Sequence, residues 1–217
     1  MLIPISFYLF SLTKKRFFLA AAIIMFSASI LSFSRASYFS LAAGTLFFVY
    51  TSSGYSFIRK YFAAVILVAL LVILIVITPN PLTNRFISSL NVNEGSNSGR
   101  IAMWTTAIQG IREYPWKGVG IGNFSYYVDP EITVRNPIYA HNIILDFGVE
   151  TGILNALILI VLILSPVALY FRKQKPLNLA IAVTFIIFLA HSMFETPFFS
   201  VRVFPLFCIL LALNNDG

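Results

Sequence analysis

Charged residues are scarce in this chain of 217 residues. They make up 11% of the sequence, whereas hydrophobic residues make up 59%, and the mean hydropathy is +0.86. A water-soluble globule of this size needs more polar surface than these residues can supply. The composition therefore excludes an ordinary soluble domain and indicates a membrane protein.

Cysteine and histidine are also rare. The single cysteine, Cys208, excludes an intramolecular disulfide, and the two histidines do not occur in any Cys/His spacing typical of a metal site. The polar part of the chain contains no Asp-x-Asp pair that could hold a divalent ion. We therefore expect neither a metal nor an organic cofactor.

Long apolar runs predict an all-α polytopic membrane protein with about six transmembrane helices. A helix needs about 20 residues to cross roughly 30 Å of hydrocarbon. The predicted spans are Phe17–Phe33, Ala36–Tyr50, Tyr61–Ile77, Ile153–Phe171, Leu177–Phe194 and Val203–Leu213. The apolar stretch Met1–Leu12 is too short to span and lacks a signal-peptide cleavage site, so one interpretation is the end of a span whose start is missing.

The predicted spans form one membrane domain, 1–217, interrupted by a large loop, 79–152. This loop is too long to be a simple connector, and we expect function to reside in it. Basic residues predict its side of the membrane, because Lys and Arg of short loops are retained in the cytoplasm. Eight of the fifteen basic residues lie in three clusters at alternate span ends, namely Lys14-Lys15-Arg16, Arg59-Lys60 and Arg172-Lys173-Lys175. These clusters are predicted to be cytoplasmic, so the large loop is expected on the outer side of the membrane.

The charge distribution also indicates which partners to expect. The other seven basic residues are balanced by seven acidic ones on the opposite side, so the net charge of +7 lies at the predicted cytoplasmic face. Short juxtamembrane clusters are typical of attraction to anionic lipid. A continuous basic stripe, which nucleic-acid binding would need, is absent from the sequence.

Within the large loop, Arg100–Glu113 is predicted to be an amphipathic helix that ends before Pro115. We expect it to lie along the outer membrane interface, with Trp104 and Trp116 at headgroup level. Its predicted apolar face consists of Ile101, Trp104, Ile108 and Ile111.

The glycine-rich segment Gly118-Val119-Gly120-Ile121-Gly122 could be compared with a phosphate-binding loop. However, it follows a predicted helix, has no preceding strand and lacks the Lys-Ser/Thr pair of that motif. A flexible glycine turn is the better interpretation.

Four polar residues near span ends or in the loop are candidates for chemistry or packing. Arg35 ends the first span, and its simplest alternative is a snorkelling anchor. Arg100 is expected at a helix start, where the helix dipole disfavours a cation, and this unfavourable placement suggests a function. His141 is expected in the first turn of a helix, where the dipole favours the neutral imidazole that a general base requires, although a structural hydrogen bond is the alternative. His191 is expected to contact other helices of the bundle.

The order of four motifs carries a family resemblance. They are Ser34-Arg35-Ala36, Ser98-Gly99-Arg100 with Trp104, Pro115-Trp116-Lys117-Gly118-Val119-Gly120, and His141-Asn142 leading to Glu150-Thr151-Gly152. Over roughly residues 30–155, the chain resembles the O-antigen ligase and polysaccharide polymerase superfamily of bacterial membrane glycosyltransferases. The ligase branch has Gly, Thr or Tyr where this chain has Asn155. Members of the superfamily are about twice as long, so the resemblance implies the C-terminal half or a reduced relative.

The resemblance implies that a glycan is transferred from an undecaprenyl pyrophosphate carrier to a glycan, lipid or protein acceptor outside the bacterial inner membrane. Arg35 and Arg100 would bind the diphosphate, and His141 would remove the acceptor proton in an inverting, metal-independent displacement. Asn142 and Glu150 would support the site, Glu150 by orienting His141 or another loop group. Glu150 could equally be a solvated residue at a helix end.

Two other functions remain open at the level of sequence. A transporter or flippase of lipid-linked glycan would also be polytopic, but we find no inverted repeat or paired discontinuous spans in the sequence. An inactive relative that lacks its acceptor pocket is the third possibility. The enzyme hypothesis requires the His141 imidazole and the two guanidinium groups to converge at one end of the bundle.

Overall fold

The computed structural model describes residues 1–32, 34–51, 95–128 and 138–216. These residues form helices and connecting turns, without strands in the described ranges. The α-helices are α1 (Ile3–Thr13), α2 (Arg16–Leu31), α3 (Arg35–Thr51), α4 (Gly95–Glu113), α5 (Phe124–Tyr127), α6 (Ile143–Thr151), α7 (Ile153–Lys173), α8 (Pro176–Ser192) and α9 (Val203–Asp216), and a 3₁₀ turn covers Pro197–Phe199. The all-helical prediction is confirmed for this part of the chain.

The helices coincide with the apolar runs, but spanning length is a stricter test. Among the described helices, only α7 is both long and apolar enough to cross a bilayer. α2 and α8 contain 16 and 17 residues, which corresponds to about 25 Å of helix. The predicted span Tyr61–Ile77 lies outside the described residues. The number of spans therefore stays a prediction.

The two basic clusters within the described residues lie at the opposite end of the helical bundle from the candidate site residues. At the basic end, the Phe47 and Phe171 ring centroids are 6.4 Å apart, so the end of α3 lies beside the end of α7. The chain then reverses at Gln174, which has a positive φ of 51°, and α8 runs back to the other end. There, the His191 ring of α8 lies close to the backbone of Ala36 in the first turn of α3.

Helix α8 is the centre of this bundle. It packs against α1, α3, α7 and α9, and an apolar helix surrounded on all sides is typical of a buried element. Its side chains Ile181, Phe185 and Phe188 are almost completely buried. Gly44 of α3 allows close packing here, because a Cβ at this position would lie 2.3 Å from Cγ1 of Ile187.

A second packing unit forms from the loop helices α4 and α6, which contact each other. Glycines bring the two helices together: a Cβ on Gly110 would lie 2.7 Å from Cγ2 of Val149, and a Cβ on Gly148 would lie 2.8 Å from Cδ1 of Ile111. α6 also packs against α7. The described part of the large loop is therefore a packed helical element attached to the bundle.

The structure corrects two details of the predicted loop helix. α4 begins at Gly95, five residues before the predicted start, because the Ser, Asn and Gly residues of this segment only weakly disfavour helix and do not prevent it. The buried face includes Met103 and Ala107, whereas Ile101 and Ile108 are exposed. The predicted end at Glu113 is confirmed.

Candidate active site

Glu195 joins two of the predicted site residues. Its Oε1 lies 2.6 Å from Nη2 of Arg100, and its Oε2 lies 3.1 Å from Nδ1 of His141. Arg100 comes from α4 and His141 from the segment before α6, whereas Glu195 follows α8. One carboxylate therefore brings together residues that are 95 and 54 positions away from it in the sequence.

The Glu195 carboxylate is stabilised in its charged form. The hydrogen bond from His141 is the largest cause that lowers its pKa below the ordinary value, and the charges of His141, Arg100 and His191 act in the same direction. Burial opposes this shift. The side chains of Glu195 and His141 each retain 38% of their exposure, so the pair remains accessible from outside the protein.

The sequence predicted that His141 lies in the first turn of a helix. This prediction is wrong, because His141 lies before the helix. It precedes Asn142, the N-cap of α6, and has a positive φ of 57°. This left-handed conformation costs about 1 kcal/mol or more for a residue with a side chain. The backbone therefore turns sharply at His141, and the helix dipole is a weaker influence on the ring than we predicted, because it decays quickly beyond the helix end.

Asn142 supports the site by capping α6. Its Oδ1 accepts hydrogen bonds from the backbone N–H groups of Ile144 and Leu145, at 3.0 and 3.2 Å. Its Nδ2 donates to the backbone oxygen of Met193 at 3.3 Å. Asn142 thus fixes the start of α6 and also connects it to the segment that carries Glu195.

Ala140, directly before His141, is held on both of its backbone groups. Its oxygen accepts a hydrogen bond from Nε1 of Trp104 at 2.9 Å, and its N–H donates to Oδ1 of Asp146 at 2.6 Å. The Trp104 ring also lies near Phe194, with centroids 6.5 Å apart. Trp104 is therefore turned into the protein, whereas Trp116 is 76% exposed and available for the predicted headgroup contact.

Asp146 is an acidic residue buried beside the site, with only 1% of its surface exposed. In addition to the hydrogen bond from Ala140, it accepts one from the Thr196 hydroxyl. Burial raises the pKa of Asp146 to about 6; the Glu150 charge acts in the same direction, and the two hydrogen bonds and the His141 charge oppose the shift.

Arg35 lies at the same end of the bundle as the Glu195 cluster. It is the first residue of α3, and the backbone of the next residue, Ala36, lies close to the His191 ring. One turn along, the Phe39 and Phe194 ring centroids are 5.4 Å apart. The structure thus brings the first turn of α3, which contains Arg35, beside the segment that carries Glu195. His141 and Arg100 contact Glu195 itself.

The structure contradicts one interpretation of Glu150, that of a solvated residue at a helix end, and its role in orienting a loop group stays a prediction. Glu150 is 4% exposed, so it is not a solvated residue at a helix end, and the carboxylate in contact with His141 is that of Glu195. Its Oε1 has no hydrogen-bond partner among the described residues. Its backbone oxygen accepts a hydrogen bond from Gly120 at 3.0 Å, which places it under the glycine-rich segment.

The glycine-rich segment is a fixed cap on α6. The Val119 N–H donates to the Val149 oxygen at 2.7 Å, and the Gly120 N–H donates to Glu150. Gly118 has a φ of 65°, and a Cβ there would lie 2.4 Å from the backbone carbon of Glu150. These two N–H groups are therefore already used within the protein, which agrees with the predicted turn.

Comparison with known families decides the class of this protein. A model of the O-antigen ligase family matches residues 20–160, which is more than half of the chain. The chain belongs to the O-antigen ligase family. No curated protein matches the chain.

Family membership makes this chain an integral protein of the bacterial inner membrane with O-antigen ligase-like or polymerase-like glycosyl transfer. The matched segment of the ligase family contains Arg35, Arg100, His141, Asn142 and Glu150. It therefore covers every site residue that the sequence suggested.

Sequence reasoning missed the residues that hold the candidate site together. Glu195 and Thr196 lie beyond the matched segment, and Asp146 lies within it but looks like one acidic residue of an apolar helix. The only sequence signal for Glu195 is its position directly after an apolar run, four residues after His191. That signal could have suggested a charge at the bundle end but not its partners.

Proposed function

We propose that this ligase-family protein transfers a glycan from an undecaprenyl pyrophosphate carrier to an acceptor hydroxyl, on the extracytoplasmic side of the bacterial inner membrane. The acceptor is a glycan, lipid or protein. The observation that carries the proposal is the Arg100–Glu195–His141 arrangement. It supplies a cation for a diphosphate and an oriented imidazole for a nucleophile at one site.

In this proposal, Glu195 sets the tautomer of His141. The ionised carboxylate accepts a hydrogen bond from Nδ1–H, which leaves Nε2 without a proton and able to act as the general base. The acceptor hydroxyl gives its proton to Nε2 while its oxygen bonds to the anomeric carbon. Glu195 then stabilises the imidazolium that forms.

The bond that breaks in this reaction joins the anomeric carbon to the carrier phosphate. Its electron pair leaves with the undecaprenyl diphosphate, whose negative charge needs cationic partners. Arg100 and Arg35 would bind it, because a guanidinium offers a planar fork of donors that matches phosphate oxygens and remains charged. Attack from the face opposite the leaving group inverts the anomeric configuration.

The decisive experiment is reconstitution of the purified protein in liposomes with a lipid-linked oligosaccharide and candidate acceptors. His141→Ala should abolish transfer, and Arg100→Lys should reduce it because a point charge cannot reproduce the fork. Arg112→Lys is the matched control, since Arg112 lies on the same helix but is exposed in its last turn. Undiminished transfer by His141→Ala would remove the assignment of the base.

The same liposomes test the transport alternative. A flippase would move the lipid-linked oligosaccharide between leaflets without forming a glycosylated product, and it would do so equally well without acceptor. Product formation that depends on acceptor and on His141 supports the transferase. Translocation without product would overturn it.

A further inference from the structure

The carboxylate of Asp146 is buried and joins the two segments that carry His141 and Glu195. Oδ1 of Asp146 accepts a hydrogen bond from Ala140, the residue before His141, and Oδ2 accepts one from Thr196, the residue after Glu195. Asp146 itself lies on the first turn of α6. Each oxygen thus holds the direct neighbour of one member of the His141–Glu195 pair.

We propose that Asp146 is a positioning residue that sets the distance between the His141 imidazole and the Glu195 carboxylate. This inference rests on the proposed function, because it explains how the base of that reaction is oriented. The hydrogen bonds of Asp146 are with the backbone of Ala140 and the hydroxyl of Thr196. Asp146 therefore acts on the His141–Glu195 pair through these two neighbouring residues.

The geometry of the segment before α6 gives this link its importance. His141 has a left-handed backbone, which persists only where neighbouring contacts hold it. The oxygen of Ala140 is held by Trp104 and its N–H by Asp146. The backbone at Ala140 therefore cannot shift without breaking one of these two hydrogen bonds. On the Glu195 side, the Asp146–Thr196 bond links this segment to α6, and the contact between Asn142 and Met193 at 3.3 Å is a second link.

The link needs the two oxygen positions of Asp146 more than it needs the charge. A neutral side chain with one acceptor and one donor can accept from Ala140 and donate to Thr196, because a hydroxyl both donates and accepts. Asp146→Asn has this pattern and nearly the same shape. Asp146→Ala removes both contacts, and Thr196→Val removes one while keeping the size of the side chain.

The first readout is the His141 ring itself, which can be observed because the chain contains only two histidines. In protein labelled with ¹⁵N-histidine, the Nδ1 signal of His141 reports its hydrogen bond to Glu195, and Glu195→Gln gives the reference for a changed bond. We expect Asp146→Ala and Thr196→Val to move this signal toward the reference. Asp146→Asn and Thr196→Ser should leave it near the wild-type position.

The second readout is transfer in the reconstituted system. A misplaced base should lower kcat by about 100-fold in Asp146→Ala, with a smaller change in KM. Asp146→Asn should recover at least about tenfold of that loss. Thr184→Val is the matched control for Thr196→Val, since Thr184 is buried in α8 and loses only a bond to its own helix.

An unchanged Nδ1 signal in folded Asp146→Ala or Thr196→Val would overturn the inference, as would an equal shift in Asp146→Asn and Asp146→Ala. If Asp146→Ala does not fold, Thr196→Val and Thr196→Ser decide. The ring signal does not depend on catalysis. Absence of transfer in the wild type, with the ring shifts as expected, would therefore reject the proposed function and leave the positioning of the pair intact.

Discussion

Replacing Asp146 by Asn should stabilise the protein at alkaline pH. Asp146 is buried, and its pKa is raised from 3.8 to about 6, mainly by burial. The folded state therefore binds a proton on Asp146 more tightly than the unfolded chain does, so the contribution of Asp146 to stability is fully present below pH 3.8 and is lost as the pH rises through about 6. Asparagine resembles the protonated acid and does not lose a proton in this range.

The size of the effect follows from the shift. About two pKa units correspond to roughly 3 kcal/mol of difference between the charged and neutral forms. Because the unfolded carboxyl, with a pKa of 3.8, is already partly ionised at pH 4, the advantage of Asp146→Asn over the wild type should grow by roughly 2.5 kcal/mol between pH 4 and pH 8. For a protein of this size, that is about 5–10 °C in the thermal midpoint. His141 and Glu150, the charged neighbours that influence Asp146, are common to both proteins.

Thermal unfolding of the detergent-solubilised protein, followed by tryptophan fluorescence, measures this difference at several pH values. Glu113→Gln is the matched control, because Glu113 is fully exposed and hydrogen bonds from Tyr127 and Gln109 lower its pKa. It should show no alkaline stabilisation. A constant difference between Asp146→Asn and the wild type from pH 4 to pH 8 would refute the burial argument.

Three further predictions concern the supports of the site. Asn142→Ala should lower stability by about 1 kcal/mol, since it removes the cap of α6, while Asn142→Ser should retain most of it in the same thermal assay. Gly118→Ala should destabilise far more than Gly122→Ala: both have positive φ, but only at Gly118 would the new Cβ meet backbone atoms, so equal midpoints would contradict the packing. Glu195→Ala should lower the transfer rate by about 100-fold in the reconstituted assay, because the base loses its orienting partner, and a rate near wild type would exclude this role.

Most of the long helices could be predicted from the sequence, because a long apolar run indicates a helix that is buried in protein or lipid. Five of the six predicted spans fall within described helices to within a few residues, and the sixth lies outside the described residues. The face of α4 could not be predicted, because its packing depends on the close approach of Gly110 to Val149. Small residues can be buried as easily as large ones when a neighbouring helix comes close.

Two residues of the candidate site could be selected from the sequence, but the contacts that join them could not. Arg100 and His141 stood out because charged residues are rare in this chain, and the structure brings both onto Glu195. The convergence of Arg35 with them is supported by the position of α3 and stays a proposal. Glu195 and Asp146 were missed because their partners are far away in the sequence or are backbone groups, which no local pattern reveals.

The family motifs can be understood as the parts that mount His141. Pro115–Gly120 and Glu150–Gly152 pack against each other: Ile153 donates to the Pro115 oxygen at 2.8 Å, and a Cβ on Gly152 would lie 2.3 Å from the Trp116 oxygen. This contact fixes the C-terminal end of α6, while Asn142 fixes its N-terminal end. A short helix held at both ends can support a strained residue such as His141 next to its cap. A shift of α6 would move the imidazole away from Glu195, so the glycines support the proposed base through geometry.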